Sequence, residues 1–116
     1  MNLYHCMIEL KDDAKALVFA AAVDNWMEHL RAAGVISDWR LLRRKMGLAS
    51  DTYLDFLLEI EVENMAQFDR AFSYLGSGDE DAARKYEHMH QLIGARKIAL
   101  YRPYPDAERV ERMAII

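Results

Sequence analysis

A histidine lies in the middle of an apolar segment near the start of the chain. His5 falls within the largely apolar segment Asn2–Leu10, where an imidazole is costly unless it is hydrogen-bonded. Because histidine titrates near neutral pH, His5 could act as a general base toward a phenolic or acidic C–H substrate, with Asp55 as a second catalytic candidate. The alternative is a structural histidine bonded to Asp55, Tyr53 or a carbonyl group across a sheet. The usual pairing of buried polar groups favours that alternative.

Charged residues interrupt the other apolar segments. They are Asp38, Arg40, Arg44, Asp55, Glu59 and Lys97. Such residues could line the rim of a pocket and orient a carboxylate or carbonyl group, and Arg40 suits bidentate binding. Cross-strand ion pairs that fix the register or close a dimer interface are the more common role of such charges. We favour ion pairing here.

Neither a cofactor nor a metal site is predicted. Residues 76–78, with the sequence Gly-Ser-Gly, are too short for a phosphate loop or a dinucleotide fingerprint. Because His88 and His90 point about 200° apart on a helix, they cannot easily coordinate one metal ion. Glu87 shares a face with His90, but two ligands are too few for a metal site. Haem could be held only through His5 or His90, and we disfavour it.

The hydrophobic patterns follow the order strand, helix, strand, strand, helix, strand and short tail. Strands are predicted over residues 2–10, 35–46, 52–62 and 95–102. The first helix is predicted to start at Asp12 and Asp13 and to stop at Gly34, with Leu17 and Phe19 on its apolar stripe. The second is predicted from Asn64 to Gly94 as a helix pair or a kinked helix. This order predicts an α+β fold: a ferredoxin-like βαββαβ sandwich with a four-stranded antiparallel sheet and helices on one face.

The sheet face away from the helices is predicted to be covered. By strand alternation it carries Leu3, His5, Met7, Asp38, Arg40, Leu42, Tyr53, Asp55, Leu57, Lys97 and Tyr101. A solvated face would carry fewer Leu, Met and Tyr residues, and a two-fold homodimer through this open face would bury them. Besides the catalytic candidates, the predicted ligand-binding residues are Arg40, Tyr53, Tyr101, Met7 and Leu57.

With its strands sorted in this way, the chain resembles the dimeric α+β barrel superfamily over about residues 2–102. More narrowly, it resembles an uncharacterised bacterial family within that superfamily. The residues that carry the narrower resemblance are Tyr4-His5, the run from Trp39 to Lys45 before Gly47-Leu48, Ile60-Glu61-Val62-Glu63 with Phe68-Asp69, and Ala99-Leu100-Tyr101-Arg102 followed by Pro105-Asp106.

The resemblance implies that two ferredoxin-like subunits close their sheets into one barrel. Members of the superfamily include cofactor-independent quinol-type monooxygenases, haem-degrading enzymes, muconolactone isomerases and stress-responsive proteins. They share a pocket between sheet and helices or inside the barrel rather than one catalytic set. The resemblance therefore implies a cavity and assigns no catalytic residue, since one fold hosts many functions.

The composition limits the partners that we expect. The chain has 116 residues, 53% of them hydrophobic, and a formal net charge of -4, which gives no electrostatic reason to expect nucleic acid or an anionic membrane. No apolar stretch approaches the roughly 18 residues of a membrane span. The single cysteine, Cys6, is predicted to be a buried, inert thiol, and we expect a cytoplasmic location. The predicted organisation is one domain over residues 1–102 and a tail over residues 103–116 that packs on the domain or on a partner subunit.

Three functional hypotheses follow. The first is a homodimeric α+β barrel that binds a small, mostly apolar molecule in a cavity at the sheet. The second is a cofactor-independent monooxygenase or isomerase that acts on a small aromatic or lactone-like substrate, with His5 as general base. The third is a partner-binding module that uses residues 107–116, whose apolar side chains could dock on another subunit.

Overall fold

The computed structural model describes residues 1–105, and in this range four strands and three α-helices form. In chain order the elements are β1 (Asn2–Leu10), α1 (Ala16–Ala32), β2 (Asp38–Arg43), β3 (Phe56–Val62), α2 (Met65–Ser73), a 3₁₀ helix (Tyr74–Ser77), α3 (Glu80–His90) and β4 (Ile93–Tyr101). The predicted order of elements is confirmed, including the division of the second helical segment. The tail residues from 106 onward, and with them the segment of the partner-binding hypothesis, lie outside the described residues.

The strands form one antiparallel sheet in the order β2-β3-β1-β4. β1 occupies a central position and pairs with β3 on one edge and with β4 on the other. In this register Cys6 lies between Leu58 and Ile98, and His5 lies between Glu59 and Ala99. Because neighbouring residues of a strand point to opposite faces, these two rows belong to opposite faces of the sheet.

The hydrophobic core lies between the helices and the face that carries Cys6, which we call the inner face. α1 buries Phe19, Val23 and Met27 there, each at most 2% exposed. The Phe19 ring packs against Phe56 of β3, with 5.2 Å between the ring centroids. Helix packing therefore covers the inner face. No helix formed by residues 1–105 covers the opposite face, which we call the outer face.

The first helix starts later than its sequence predicts. Asp12 and Asp13 lie in a turn, because the Lys11 amide donates to the Leu92 carbonyl at 3.0 Å and holds the chain against the end of the helix layer. Leu17 is 86% exposed, so its placement on the apolar stripe was wrong.

No helix within residues 1–105 is both long enough and apolar enough to cross a membrane.

β2 and β3 are shorter than predicted. Val35 and Ile36 are both buried in the connection after α1, where they fill the core and do not alternate as strand residues do. At the other end of β2, the sheet pairing stops near Arg44, whose amide donates to the Asp55 carbonyl at 2.6 Å. The intervening loop includes two residues with positive φ, Leu48 and Ala49.

Three local features set the geometry of the later elements. Asn64 caps α2 as predicted, since its side chain accepts a hydrogen bond from the Gln67 amide at 2.9 Å. Gly78, at φ 85°, separates the 3₁₀ helix from α3. Gly94, predicted as a helix stop, instead lies within β4, where a Cβ atom would be 3.1 Å from the Leu10 carbonyl oxygen.

Candidate functional site

The antiparallel register arranges the outer face in rows across the sheet. One row contains Arg40, Glu59, His5 and Ala99, the next contains Leu42, Leu57, Met7 and Lys97, and on the other side lie Asp38, Glu61, Leu3 and Tyr101. Strand alternation therefore assigned these side chains to the correct face. The outer face therefore mixes apolar and charged side chains on both its inner and its edge strands.

An ion pair in the first row joins the edge strand β2 to its neighbour β3. The Nε and Nη2 atoms of Arg40 lie 2.9 and 2.8 Å from Oε2 of Glu59. The Glu59 side chain is only 11% exposed, whereas that of Arg40 is 67% exposed, so the guanidinium group covers the carboxylate. A second pair joins Arg44 to Asp55 at 2.9 Å. Both pairs agree with the structural role favoured for these charges.

His5 is half-buried at the centre of the outer face. Its ring meets the edge of Tyr101, with 5.2 Å between the centroids, and within residues 1–105 its imidazole has no hydrogen-bond partner. Asp55 lies near Glu9, whose carboxylate accepts from the Asp55 amide at 3.4 Å. Glu9 is four residues from His5, or about 13 Å along the strand, so one chain does not bring His5 and Asp55 together.

The remaining predicted ligand-binding residues divide between the centre and the edge. Met7 and Leu57 are half-buried register partners next to the row of His5. Tyr53 precedes β3 in the loop and is 56% exposed; its carbonyl oxygen accepts from Nη1 of Arg44 at 2.6 Å. Met7, Leu57 and Tyr101 therefore surround His5, whereas Tyr53 and Asp55 cluster with Arg44.

A cavity of about 420 Å³ lies on the other side of the sheet. We call it the inner cavity: β1, β3 and β4 form its floor, and the helix layer forms its roof. Its walls are mainly apolar, and they include Met27, Leu58 and Ala71. Phe72 and Ile98 also line it, although they are 60% and 44% exposed, which places them at its mouth. None of the predicted site residues of the outer face lines this cavity.

Two polar side chains of β1 line the inner cavity. Burial raises the pKa of the Tyr4 phenol to about 12, and the positive charge of Arg96 opposes this shift. Burial likewise raises the pKa of the Cys6 thiol to about 11, and Cys6 is 7% exposed. Both groups are therefore neutral at physiological pH. Tyr4 can donate a hydrogen bond, and Cys6 is the buried thiol that the sequence predicts.

α3 contributes a tyrosine–histidine pair to the same cavity. The Tyr86 hydroxyl lies 3.4 Å from Nδ1 of His90, at the long end of the hydrogen-bond range, and the two rings stack with 5.1 Å between their centroids. From the sequence, His90 is weighed as a metal or haem ligand against a favoured solvated or capping role, and Tyr86 is not predicted as a site residue. Their i, i+4 spacing, which places two side chains on one helix face, was the available signal. Among the described residues, no group of three or more His, Cys, Asp or Glu is arranged to hold a metal ion.

A polar cluster at the outer side of the helix layer joins α1 to α3. Nε2 of His29 lies 3.0 Å from the Tyr74 hydroxyl and 3.3 Å from Oδ2 of Asp79, and Nδ1 lies 3.1 Å from Nζ of Lys85. Asp79 also caps α3, and its hydrogen bond from the Ala82 amide holds the pKa of that carboxyl below its usual range. His29 thus links α1 to α3 and to the cap of α3. This role could not be inferred from the position of His29 near the end of α1.

The sequence and the fold both match known proteins. Residues 1–116 match the model of a protein family described as "Family of unknown function (DUF6614)". No match among curated proteins was found. Solved structures with the same fold include a dimeric ferredoxin-like protein of unknown function from Thermobifida fusca, with 16% identity, a TM-score of 0.59, and coverage of 89% of this chain and 92% of that one.

Two further structures extend the comparison. A dabb family protein with a ferredoxin-like fold from Mesorhizobium loti has 16% identity and a TM-score of 0.62, with coverage of 88% of this chain and 95% of that one. A hydroxynitrile lyase from Passiflora edulis has 11% identity and a TM-score of 0.66, with coverage of 86% and 90%. These likenesses confirm the predicted ferredoxin-like α+β fold.

The covered carboxylate of Glu59 gives a stability prediction. Arg40→Gln should lower the free energy of unfolding by about 1–2 kcal/mol, because it leaves that carboxylate without its charged donor. Denaturant unfolding at one fixed chain concentration measures the change. Adding Glu59→Gln to Arg40→Gln should restore part of the loss, since no covered charge then remains.

The matched control is Arg84→Gln, which removes the same charge from an exposed pair with Asp81 on α3. It should leave the free energy of unfolding nearly unchanged. Equal losses from the two arginine variants would contradict a special role for the covered carboxylate.

Proposed function

Because the chain belongs to DUF6614, a family of unknown function, its function must be inferred from its site, and we propose that it binds a small, mostly apolar molecule in the inner cavity. The observation that carries this proposal is an apolar space of about 420 Å³ with a few polar groups on its wall. Small-molecule sites are commonly cavities of about 300–1,000 Å³ with this character.

The walls of the inner cavity support an apolar ligand with limited polar functionality. Met27, Leu58 and Phe68 offer only carbon or sulfur contacts, whereas Tyr4 and the pair formed by Tyr86 and His90 offer hydrogen bonds. An apolar body gains free energy by leaving water, and a few directed hydrogen bonds fix its orientation. His5, Arg40, Tyr53, Asp55 and Tyr101, which the sequence predicts as polar contacts of a ligand, do not line the inner cavity.

A change that fills the cavity tests the binding proposal. Ala71, on α2, lines the cavity, and Ala71→Leu adds three carbon atoms to the wall. We expect wild type to bind the neutral fluorophore N-phenyl-1-naphthylamine, measured by its fluorescence increase, and Ala71→Leu to weaken this binding about tenfold or more.

Ala66→Leu makes the same substitution at an exposed position of the same helix and should leave the affinity unchanged. Failure of wild type to bind the fluorophore, or equal binding by wild type and Ala71→Leu, would count against the inner cavity as a binding site.

The outer face supports a homodimer. It exposes 43% of Leu42 and 55% of Tyr101 around the half-buried Met7 and Leu57. In a two-fold dimer the same surface meets its own copy, so a single apolar patch suffices for both subunits. The Thermobifida fusca protein with the same fold is described as dimeric, and we propose that this chain pairs in the same way, as the resemblance to dimeric α+β barrels implies.

A charge introduced into this patch tests the dimer. Leu42→Lys places an ammonium group where the proposed partner contributes apolar side chains, and burying an unpaired charge is costly. We expect sedimentation equilibrium to report a dimer for wild type and a monomer for Leu42→Lys. The control Leu17→Lys, at an apolar residue of α1 that is 86% exposed, should remain dimeric. A wild-type monomer, or a dimeric Leu42→Lys variant, would contradict the proposed interface.

Acid–base catalysis in the inner cavity is the second candidate function. The observation that favours it is the contact of Tyr86 with His90 beside an apolar space. If Nδ1–H of His90 donates to the Tyr86 oxygen, Nε2 keeps its lone pair and can accept a proton. The role of general base that the sequence analysis gave to His5 then passes to His90, while His5 stays a candidate on the outer face.

A substrate-independent probe separates the two histidines. 5-Nitrobenzisoxazole loses one C–H proton to a base while its N–O bond breaks, releasing coloured 2-cyano-4-nitrophenolate. We expect wild type to accelerate this reaction and His90→Gln to remove most of the acceleration, about two orders of magnitude for an effective general base. His88→Gln, at an exposed neighbour on α3, should have no effect. If only His5→Gln lost the acceleration, His5 rather than His90 would be the general base. If wild type did not accelerate the reaction, the catalytic proposal would be rejected.

A further inference from the structure

An arginine lies on the wall of the inner cavity. Arg96, on β4, is the register partner of Ile8 and therefore belongs to the inner face. It lines the cavity but is itself exposed, which places its guanidinium group toward the mouth, where a ligand can reach it. Its charge also acts on Tyr4 and Cys6, since it favours the ionised form of both groups. Arg96 therefore lies close to the polar wall of β1.

Arg96 has no acidic partner in the part of the chain that the structure describes. No carboxylate of residues 1–105 lies within 4.0 Å of its guanidinium group, whereas Arg40, Arg44 and Arg84 each have one. None of the described residues that line the inner cavity is Asp or Glu. A guanidinium group that lies beside an apolar space and has no counter-charge can bind an anion.

The neighbouring hydrogen-bond donors agree with this assignment. Tyr4 keeps its proton at physiological pH and can donate to an anionic oxygen atom. Tyr86 of α3 lines the same cavity and carries a second phenol hydroxyl. The cavity wall between β1, β4 and α3 thus presents one guanidinium and two phenols, all able to donate.

We propose that the ligand of the inner cavity carries a carboxylate that Arg96 binds at the mouth, with its apolar body in the cavity. This rests on the proposed function, because it assigns a head group to the same ligand. A carboxylate matches the planar guanidinium group in geometry and balances its single charge. A phosphate group would bring a second negative charge. Arg96 is the only permanently charged cation among the described lining residues, so no second cation would balance that charge.

A pair of probes with equal chain lengths tests the head group. Octanoate and 1-octanol differ in the carboxylate and are each titrated against bound N-phenyl-1-naphthylamine. We expect Arg96→Gln to weaken displacement by octanoate about tenfold or more and to leave displacement by 1-octanol within about twofold. Unchanged affinity of the variant for the fluorophore shows that its cavity is intact.

The matched control is Lys97→Gln, which removes the same charge from the next residue of β4. Its side chain belongs to the outer face, where Met7 is its register partner, so octanoate should displace the fluorophore as in wild type. The carboxylate proposal would be overturned if Arg96→Gln weakened displacement by octanoate and by 1-octanol equally, or changed neither. It would also be overturned if Lys97→Gln weakened displacement by octanoate as much as Arg96→Gln does.

Two results distinguish this proposal from the one on which it rests. If wild type binds the fluorophore and 1-octanol but not octanoate, the carboxylate assignment fails while the apolar site stands. If wild type binds none of the three probes, the proposed binding function itself fails, and the carboxylate assignment fails with it.

Discussion

The central position of β1 in the sheet is the constraint on which the rest of the structure depends. Because β1 pairs on both edges, its alternate side chains enter two different environments. Cys6 and Ile8 enter the core and the floor of the inner cavity, whereas His5 and Met7 lie on the outer face. A shift of the register by one residue would exchange these two sets. The division between the face that lines the inner cavity and the outer face is thus fixed by one strand.

The fold was predictable where a local pattern and a long-range contact agree. The alternation in β1 and β3 repeats often enough to define both the strands and their faces, and Asn64 combines a capping side chain with a following apolar stripe. The start of α1 was not predictable in this way, because the contact of Lys11 with Leu92 joins residues far apart in the chain. Two aspartates that favour a helix start locally therefore lie in a turn.

The candidate site was predictable only in part for a similar reason. A charge in an apolar strand stands out in the sequence, so Arg40 and His5 were found, and their face was assigned correctly. The inner cavity depends on the distance between the helix layer and the sheet, which no local pattern encodes. Arg96 and Tyr86 could not be singled out from the sequence, because each is a residue type that is common at the surface of a strand or helix. They become candidate site residues only because both line that cavity.

Contacts among the helices hold together the roof of the inner cavity. His29 joins α1 to Tyr74 and to the cap of α3, and Trp26 packs against Tyr86 with 5.8 Å between their ring centroids. These contacts fix α3 on α1, and the turn at Gly78 prevents α2 and α3 from continuing as one helix. A movement of α3 relative to α1 would break these hydrogen bonds of partly buried groups, which is costly.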